Sequence, residues 1–339
     1  MLYRRLLTLI LVLALNASAC ATRRFEAVSI PLAGQVDVGD TYAGIRLLGA
    51  LRLAPAKINS QRFCGLSGLA WDEDASILYA LSDRGSLFHL QPELNTQGHL
   101  TGIQVIAAYP LRNALDRPLR PPDDDAEGLA IRNSGNGVQG DTELLVSFEI
   151  RLRVVRYSPT GLWRGEEKLP ALLRDPGHYR NPNQGLEAIT VDPFRGILVG
   201  TEVSLLNDPS DQVRLFQLDG RSWNYRLSPA PKSALVAMEV LPDGSLLTLE
   251  RAFVAPLRPL IISLRRTPLP EPGGVAPLNV TDVAVFDSSQ GWLLDNFEGL
   301  TRYQDQRFFM ISDDNCSAWQ STLLVYFELL PARPAAAPR

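Results

Sequence analysis

Short apolar runs alternate with turn-forming residues along this chain, and the runs come in pairs. Five segments share an apolar residue, a small or acidic residue and a short β-type run. They are Gly65-Leu66-Ser67-Gly68-Leu69-Ala70, Ala126-Glu127-Gly128-Leu129-Ala130-Ile131, Gly185-Leu186-Glu187-Ala188-Ile189-Thr190, Ala237-Met238-Glu239-Val240-Leu241 and Phe297-Glu298-Gly299-Leu300-Thr301. A second apolar run ending in an acid follows each: residues 77–83, 143–149, 196–202, 245–250 and 307–313. Turn residues such as Asp72-Glu73-Asp74, Pro242-Asp243-Gly244 and Gln304-Asp305-Gln306 lie between the members of a pair. Each pair therefore reads as an antiparallel hairpin.

Midpoints support this reading. Those of Glu127/Glu149, Glu187/Glu202, Glu239/Glu250 and Glu298/Asp313 all fall in or beside a turn. Antiparallel pairing then puts the two marked residues of each hairpin together, at the end opposite the turn. Hairpins recurring roughly every 50–65 residues match propeller blades, with 154–157, 213–218, 260–264 and 280–286 as outer strands. The expectation is an all-β protein, a β-propeller with five visible blades, or six if strands at 25–31 and 323–329 complete another. A β-sandwich would need the same acidic turn to repeat in register by coincidence. In a closed ring the first and last hairpins are neighbours on one rim, which predicts a Cys64–Cys316 disulfide against the alternative of two free thiols.

Composition adds bounds. The 339 residues are 45% hydrophobic and 21% charged, enough for a large core, and 25 Gly and 25 Pro scattered along them favour turns over long helices. A net charge of −4 without a basic stripe argues against a nucleic-acid partner. Arg4 and Arg5, an apolar run over 6–15 and Ala17-Ser18-Ala19-Cys20 read as an export signal over residues 1–19. Cleavage after Ala19 by ordinary signal peptidase is one expectation. Lipidation of Cys20, as in a bacterial lipoprotein, is the favoured one, although Ala17 stands where such signals usually carry Leu. Losing Arg4 and Arg5 from the 33 basic residues would leave 31 against 37 acidic, a balance of −6. The domain is expected over 25–330, with 331–339 a loose Ala/Pro tail. Together these predict a periplasmic or outer-membrane-anchored monomer that meets a membrane only through its lipid.

The rim is expected to gather Asp83, Glu127, Glu149, Glu187, Glu202, Glu239, Glu250, Glu298, Asp313 and Asp314. So many carboxylates cannot all ionise side by side without positive partners. Divalent metal is one, and Ca²⁺ tolerates irregular carboxylate cages. Arginine is the other, since Asp83-Arg84, Glu149-x-Arg151 and Glu250-Arg251 repeat an acid closely followed by Arg, with Arg62, Arg156 and Arg180 near other rim segments. Blade-to-blade ion pairing is the purely structural alternative. With only three histidines, His89, His99 and His178, a His-rich zinc site is disfavoured, and His178 reads as a loop residue. Gly65-x-Ser67-x-Leu69 lacks the second Gly of a nucleophile elbow.

Ala126-Glu127-Gly128-Leu129-Ala130, Asn183-Gln184-Gly185-Leu186-Glu187, Leu249-Glu250-Arg251, Asn296-Phe297-Glu298-Gly299-Leu300 and Ser312-Asp313-Asp314-Asn315 resemble the motifs of the phytase-like family, "esterase-like activity of phytase". The resemblance runs from about Cys64 to Asn315. It departs at Ser67, where Glu is expected, and at Ala188 and Val240, where other repeats have Gly. It implies an exported propeller acting on phosphoric esters.

The rim and the resemblance together predict a metal-assisted phosphomono- or phosphodiester hydrolase acting on a small phosphorylated or ester substrate. Glu127, Glu187 and Glu298 are the leading ligands or general base. Glu149, Glu202, Glu239, Glu250, Asp83 and Asp313 are further ligands, and Arg84, Arg151 or Arg251 the charge stabiliser. A lactonase-like propeller hydrolase and a non-enzymatic binding propeller with structural Ca²⁺ are the alternatives.

Overall fold

The computed structural model describes residues 25–181, 183–270 and 278–331. The expected leader over 1–19, Cys20 and most of the expected tail lie outside these residues. Five antiparallel sheets form a five-bladed β-propeller. The first blade comprises Leu66–Asp72, Ile77–Ser82, Ser86–Leu94 and Leu100–Pro110. The second comprises Ala126–Arg132, Glu143–Phe148, Arg153–Tyr157 and Trp163–Glu167. The third is Leu186–Asp192, Gly196–Thr201, Gln212–Gln217 and Ser222–Arg226, and the fourth Ser233–Val240, Ser245–Ala252, Ile261–Pro268 and Thr281–Asp287.

The fifth blade closes the ring. Asn296–Arg302, Arg307–Asp313 and Thr322–Leu329 are joined by Ile45–Leu53 from the other end of the chain, in register from Thr322 opposite Leu53 to Leu329 opposite Ile45. Ala27–Ser29 extends the same edge. The terminal strands thus finish the fifth blade instead of forming a sixth. A Cys64–Cys316 disulfide adds a covalent clasp across a sequence separation of 252, contributing about 5 kcal/mol in the loop-entropy model. Asp314 reinforces it, with Oδ1 accepting from Gly65 N at 2.8 Å and from Cys316 N at 3.0 Å.

Sequence pattern follows position in the blade. Second strands are covered on both faces and read as unbroken apolar runs, such as Leu144–Leu145–Val146. Outer strands alternate: Trp223 and Tyr225 are buried while Ser222, Asn224 and Arg226 face solvent.

Every innermost strand carries a register shift near its start, between Leu66/Gly68, Ala126/Leu129, Leu186/Ala188, Leu235/Ala237 and Phe297/Gly299. Such bulges insert one unpaired residue and re-aim its side chain. The inserted positions are Ser67, Glu127, Glu187, Val236 and Glu298. The following residue lies against the next blade, which explains the recurring Glu-Gly. A Cβ on Gly128 would sit 2.2 Å from the Glu187 carbonyl oxygen, and one on Gly68 2.7 Å from Leu129 Cβ.

Candidate active site

The bulges supply half of a ring of side chains at the centre of one face, and second-strand ends supply the other half. Asp83 N donates to Gly65 O, Glu149 N to Asp125 O and Glu202 N to Gly185 O. Arg251 pairs with Ala234 and Asp313 with Asn296 in the same place. The five equivalent end positions are therefore Asp83, Glu149, Glu202, Arg251 and Asp313. Four acids and one arginine meet three bulge glutamates around one cavity of about 940 Å³.

Asp125 and Asn296 also line this cavity, each two residues before a bulge glutamate. Its carboxylates come close enough to share a cation. Oxygens of Asp125, Glu127 and Glu149 lie within 4.8 Å of one another, and so do those of Glu149, Glu187 and Glu202. Glu149 belongs to both trios, and its Oε1 is held by Gly185 N at 2.9 Å. Among the described residues the lining holds no histidine or cysteine, so the donors are hard oxygens, suited to Ca²⁺ or Mg²⁺ over softer metals. The cysteines beside Asp314 are disulfide-bonded and offer no thiolate.

Arg251 is the only cationic side chain in the lining among the described residues. Its Nη2 is 2.9 Å from Glu202 Oε1 and its Nη1 3.3 Å from Glu298 Oε1. Nη1 also donates to Asn296 Oδ1, and Asn296 Nδ2 donates to Glu298 Oε1 at 2.9 Å. One guanidinium cannot neutralise the ring. Burial, then the charges of Glu298 and Glu149, pushes Glu127 well up, and burial with Glu127 and Glu202 does the same to Glu187. Glu149 and Glu298 are each raised to about 8, chiefly by burial. Burial and Asp313 raise Asp83 to about 7, and burial raises Asp313 to about 6. Burial alone would lower Arg251, but Glu298 and Glu202 more than offset it. The cavity thus has a deficit of positive charge that a divalent cation would relieve.

The phytase-like model, described as esterase-like activity of phytase, matches residues 61–316. The chain belongs to the phytase-like family. No curated protein matches it. Among solved structures it is similar to a gluconolactonase from Xanthomonas campestris, at 14% identity and a TM-score of 0.37, covering 88% of this chain and 100% of that one. A PQQ-bound aldose sugar dehydrogenase from Streptomyces coelicolor matches at 9% identity and a TM-score of 0.41, covering 82% and 97%.

In this phytase-like propeller the sequence-predicted residues divide. Asp83, Glu127, Glu149, Glu187, Glu202, Arg251, Glu298 and Asp313 converge on the cavity. Glu239 and Glu250 do not. Glu239 lies near the turn end of its strand, opposite Leu247, where burial raises it to about 7 and Arg302 pulls it back. The fourth bulge residue is Val236, followed by Ala237, so Val240 is not the Gly-equivalent position. Glu250 points away from the cavity to the junction of the third and fourth blades, accepting from Ser228 N and Ser233 Oγ at 2.7 Å and Arg265 Nη1 at 2.9 Å, with Tyr225 Oη of the third blade also donating. Its neighbour Arg251 takes the ring position. Glu250→Ala should therefore cost about 3–5 kcal/mol of stability, because it removes the buried acceptor shared by Tyr225, Ser228 and Ser233 and leaves Arg265 with the half-exposed Asp282 as its one carboxylate, whereas Glu239→Gln should leave cation affinity unchanged. Denaturant unfolding and calorimetric Ca²⁺ titration check the two.

Arg84 and Arg151 also lie off the lining. Arg84 sits beside the disulfide, its Nε 3.4 Å from Cys316 Sγ, and Arg151 pairs with Asp123 at 2.8 Å. Ser67 occupies the first bulge but donates to Ala126 O at 2.9 Å. His178 is tied by Nδ1 to Leu172 O at 2.9 Å, away from the cavity lining. Asp125 was legible only as the end of the acidic run Asp123-Asp124-Asp125, and nothing in the repeat marks Phe253 or Trp319, which line the apolar side of the mouth.

Proposed function

We propose that this chain is an exported, metal-assisted phosphoric ester hydrolase. The observation that carries the reading is the pair of carboxylate trios sharing Glu149 in one open cavity. An anionic ester would be repelled by bare carboxylates, so the same site needs metal before it can accept phosphate. Asp125, Glu127 and Glu149 would hold one cation, and Glu187 and Glu202 with Glu149 a second position. Bound Ca²⁺ would supply Lewis acidity toward the phosphoryl oxygens.

The chain's own groups do the rest. Arg251 is oriented by Glu202, Glu298 and Asn296, so its guanidinium can stabilise negative charge developing on the phosphoryl group. Glu298 lies outside both trios, and a carboxyl raised to about 8 is largely protonated at neutral pH, so it can give its proton to the leaving oxygen as the P–O bond breaks and regain one from the water that has added to phosphorus. Phe253 and Trp319 offer apolar surface to the organic part of the ester. The disulfide supports export to an oxidising compartment.

The test is hydrolysis by purified protein of phosphomono- and phosphodiesters with added Ca²⁺, Mg²⁺ or Mn²⁺, with lactones as the contrasting panel. Metal-dependent phosphate release is expected. Turnover of lactones alone, or of neither class, overturns the reading.

A further inference from the structure

Three loops at the mouth of the acidic cavity carry apolar side chains into solvent. They span 253–260 in the fourth blade, 288–295 between the fourth and fifth, and 314–321 in the fifth. Five of the fifteen large apolar side chains exposed among the described residues lie on them: Phe253, Val254, Leu257, Leu293 and Trp319. Leu257 and Trp319 stand fully in solvent, at 105% and 97% exposure. Leu257 also holds φ at +68°, the left-handed region that leucine rarely adopts. Apolar side chains gathered this closely on a rim mark a contact surface.

The chain enters the propeller on the same face. Ala27 lies opposite Leu53, and Leu53 opposite Thr322, the first residue after the loop that carries Trp319. Glu26 shares a small surface cavity with Gln320, which also lines the acidic one. Cys20, the expected lipid site, stands five residues before Phe25, a reach of at most about 18 Å. An anchor at Cys20 would therefore hold this face towards a bilayer.

We infer that the mouth face docks on a lipid surface, with Leu257 and Trp319 entering its apolar boundary. Separate loop tips around an open, largely polar cavity form no continuous face for a protein or a second copy to seal, whereas a fluid surface needs no matching shape. Tryptophan favours the membrane–water boundary, where its ring is apolar and its N–H stays wet. Arg258, exposed beside Leu257, suits the headgroup level. The carboxylate ring repels anionic headgroups, so neutral lipid is the partner. Docking does not depend on which reaction the cavity carries out.

The test uses the full chain carrying Cys20→Ser, so that no lipid anchor contributes, and phosphatidylcholine vesicles with brominated acyl chains. Such chains quench a tryptophan only when it lies among them. Quenching is expected, and Trp319→Phe should abolish it. Leu257→Asn should raise the vesicle concentration for half-maximal quenching at least tenfold, the order expected for withdrawing one leucine from an apolar phase. It should not lower the melting temperature, because the side chain is exposed and asparagine accepts a left-handed backbone. Absence of quenching, quenching that survives Trp319→Phe, or an unchanged midpoint in Leu257→Asn overturns the docking surface. So does a lipid-free dimer that Leu257→Asn dissociates, since a second copy would then be the occupant.

Discussion

Glu149→Gln is expected to lower Ca²⁺ affinity by two orders of magnitude or more and phosphoester hydrolysis by about 10²–10³-fold. The size of the effect follows from position. Glu149 is the only residue common to both carboxylate trios, so its loss weakens two cation positions together. The substitution is nearly isosteric, and a glutamine Oε1 can still accept the Gly185 N–H that Glu149 now accepts at 2.9 Å. Collapse of the rim is therefore not a route to the phenotype. A further signature separates ligand from scaffold. In metal-free protein above about pH 8, Glu149 is a buried charge facing Glu202 and Asp125, and replacing it should raise the melting temperature by a few degrees. A residue whose role was structural would lose stability on substitution. Unchanged Ca²⁺ affinity in Glu149→Gln would sink the assignment.

How much of this ring was legible depended on which signal each residue left. Blades were readable because second strands are buried on both faces, so their apolar runs stand out at a regular spacing. The hairpin midpoints then brought Glu127 to Glu149 and Glu187 to Glu202, as the register does. The same test could not reject Glu239. Moving the marked residue three places, from Val236 to Glu239, shifts the midpoint by only half that distance, and both midpoints fall in the Asp243 turn. Glu250 failed for a related reason. Adjacent strand residues face opposite ways, and the bulge that decides between Glu250 and Arg251 is a backbone event without a residue signature. Arg251 thus occupies the fourth place in a ring of acids, and what read as an acid followed by Arg is a structural acid followed by the ring's own cation. The choice between five and six blades stayed open in the sequence because Ile45–Leu53 lies outside the repeat. Its partner Thr322–Leu329 was visible, but an isolated apolar run does not announce which edge it will complete.

The second large effect expected is a melting temperature that falls with pH when metal is absent and ceases to fall when Ca²⁺ is present. The sign follows from the carboxyls. Glu149 and Glu298 sit at about 8, Asp83 at about 7 and Asp313 at about 6, all raised by burial above the ordinary 3.8–4.5. Between the unfolded and folded values the native state holds more protons than the unfolded chain, so stability drops as pH rises. That contribution is fully present below about pH 4 and is lost as pH climbs through 6 to 8. His89 works the other way, since burial lowers it, but its contribution is complete once pH exceeds the usual histidine value of about 6.5. Glu239, outside the ring, sits at about 7, so the interval from about pH 7.5 to 8.5 reports chiefly Glu149 and Glu298. Calcium competes with protons for the same oxygens, so its affinity should rise over that interval, and with it the stabilisation. A concentration one-hundredfold above Kd adds about 2.7 kcal/mol. Scanning calorimetry with chelator and with saturating Ca²⁺ should give two curves that diverge as pH increases. Curves that run parallel would mean that the carboxylates are already neutralised within the protein, and that the ring is an ion-pair scaffold instead of a cation site.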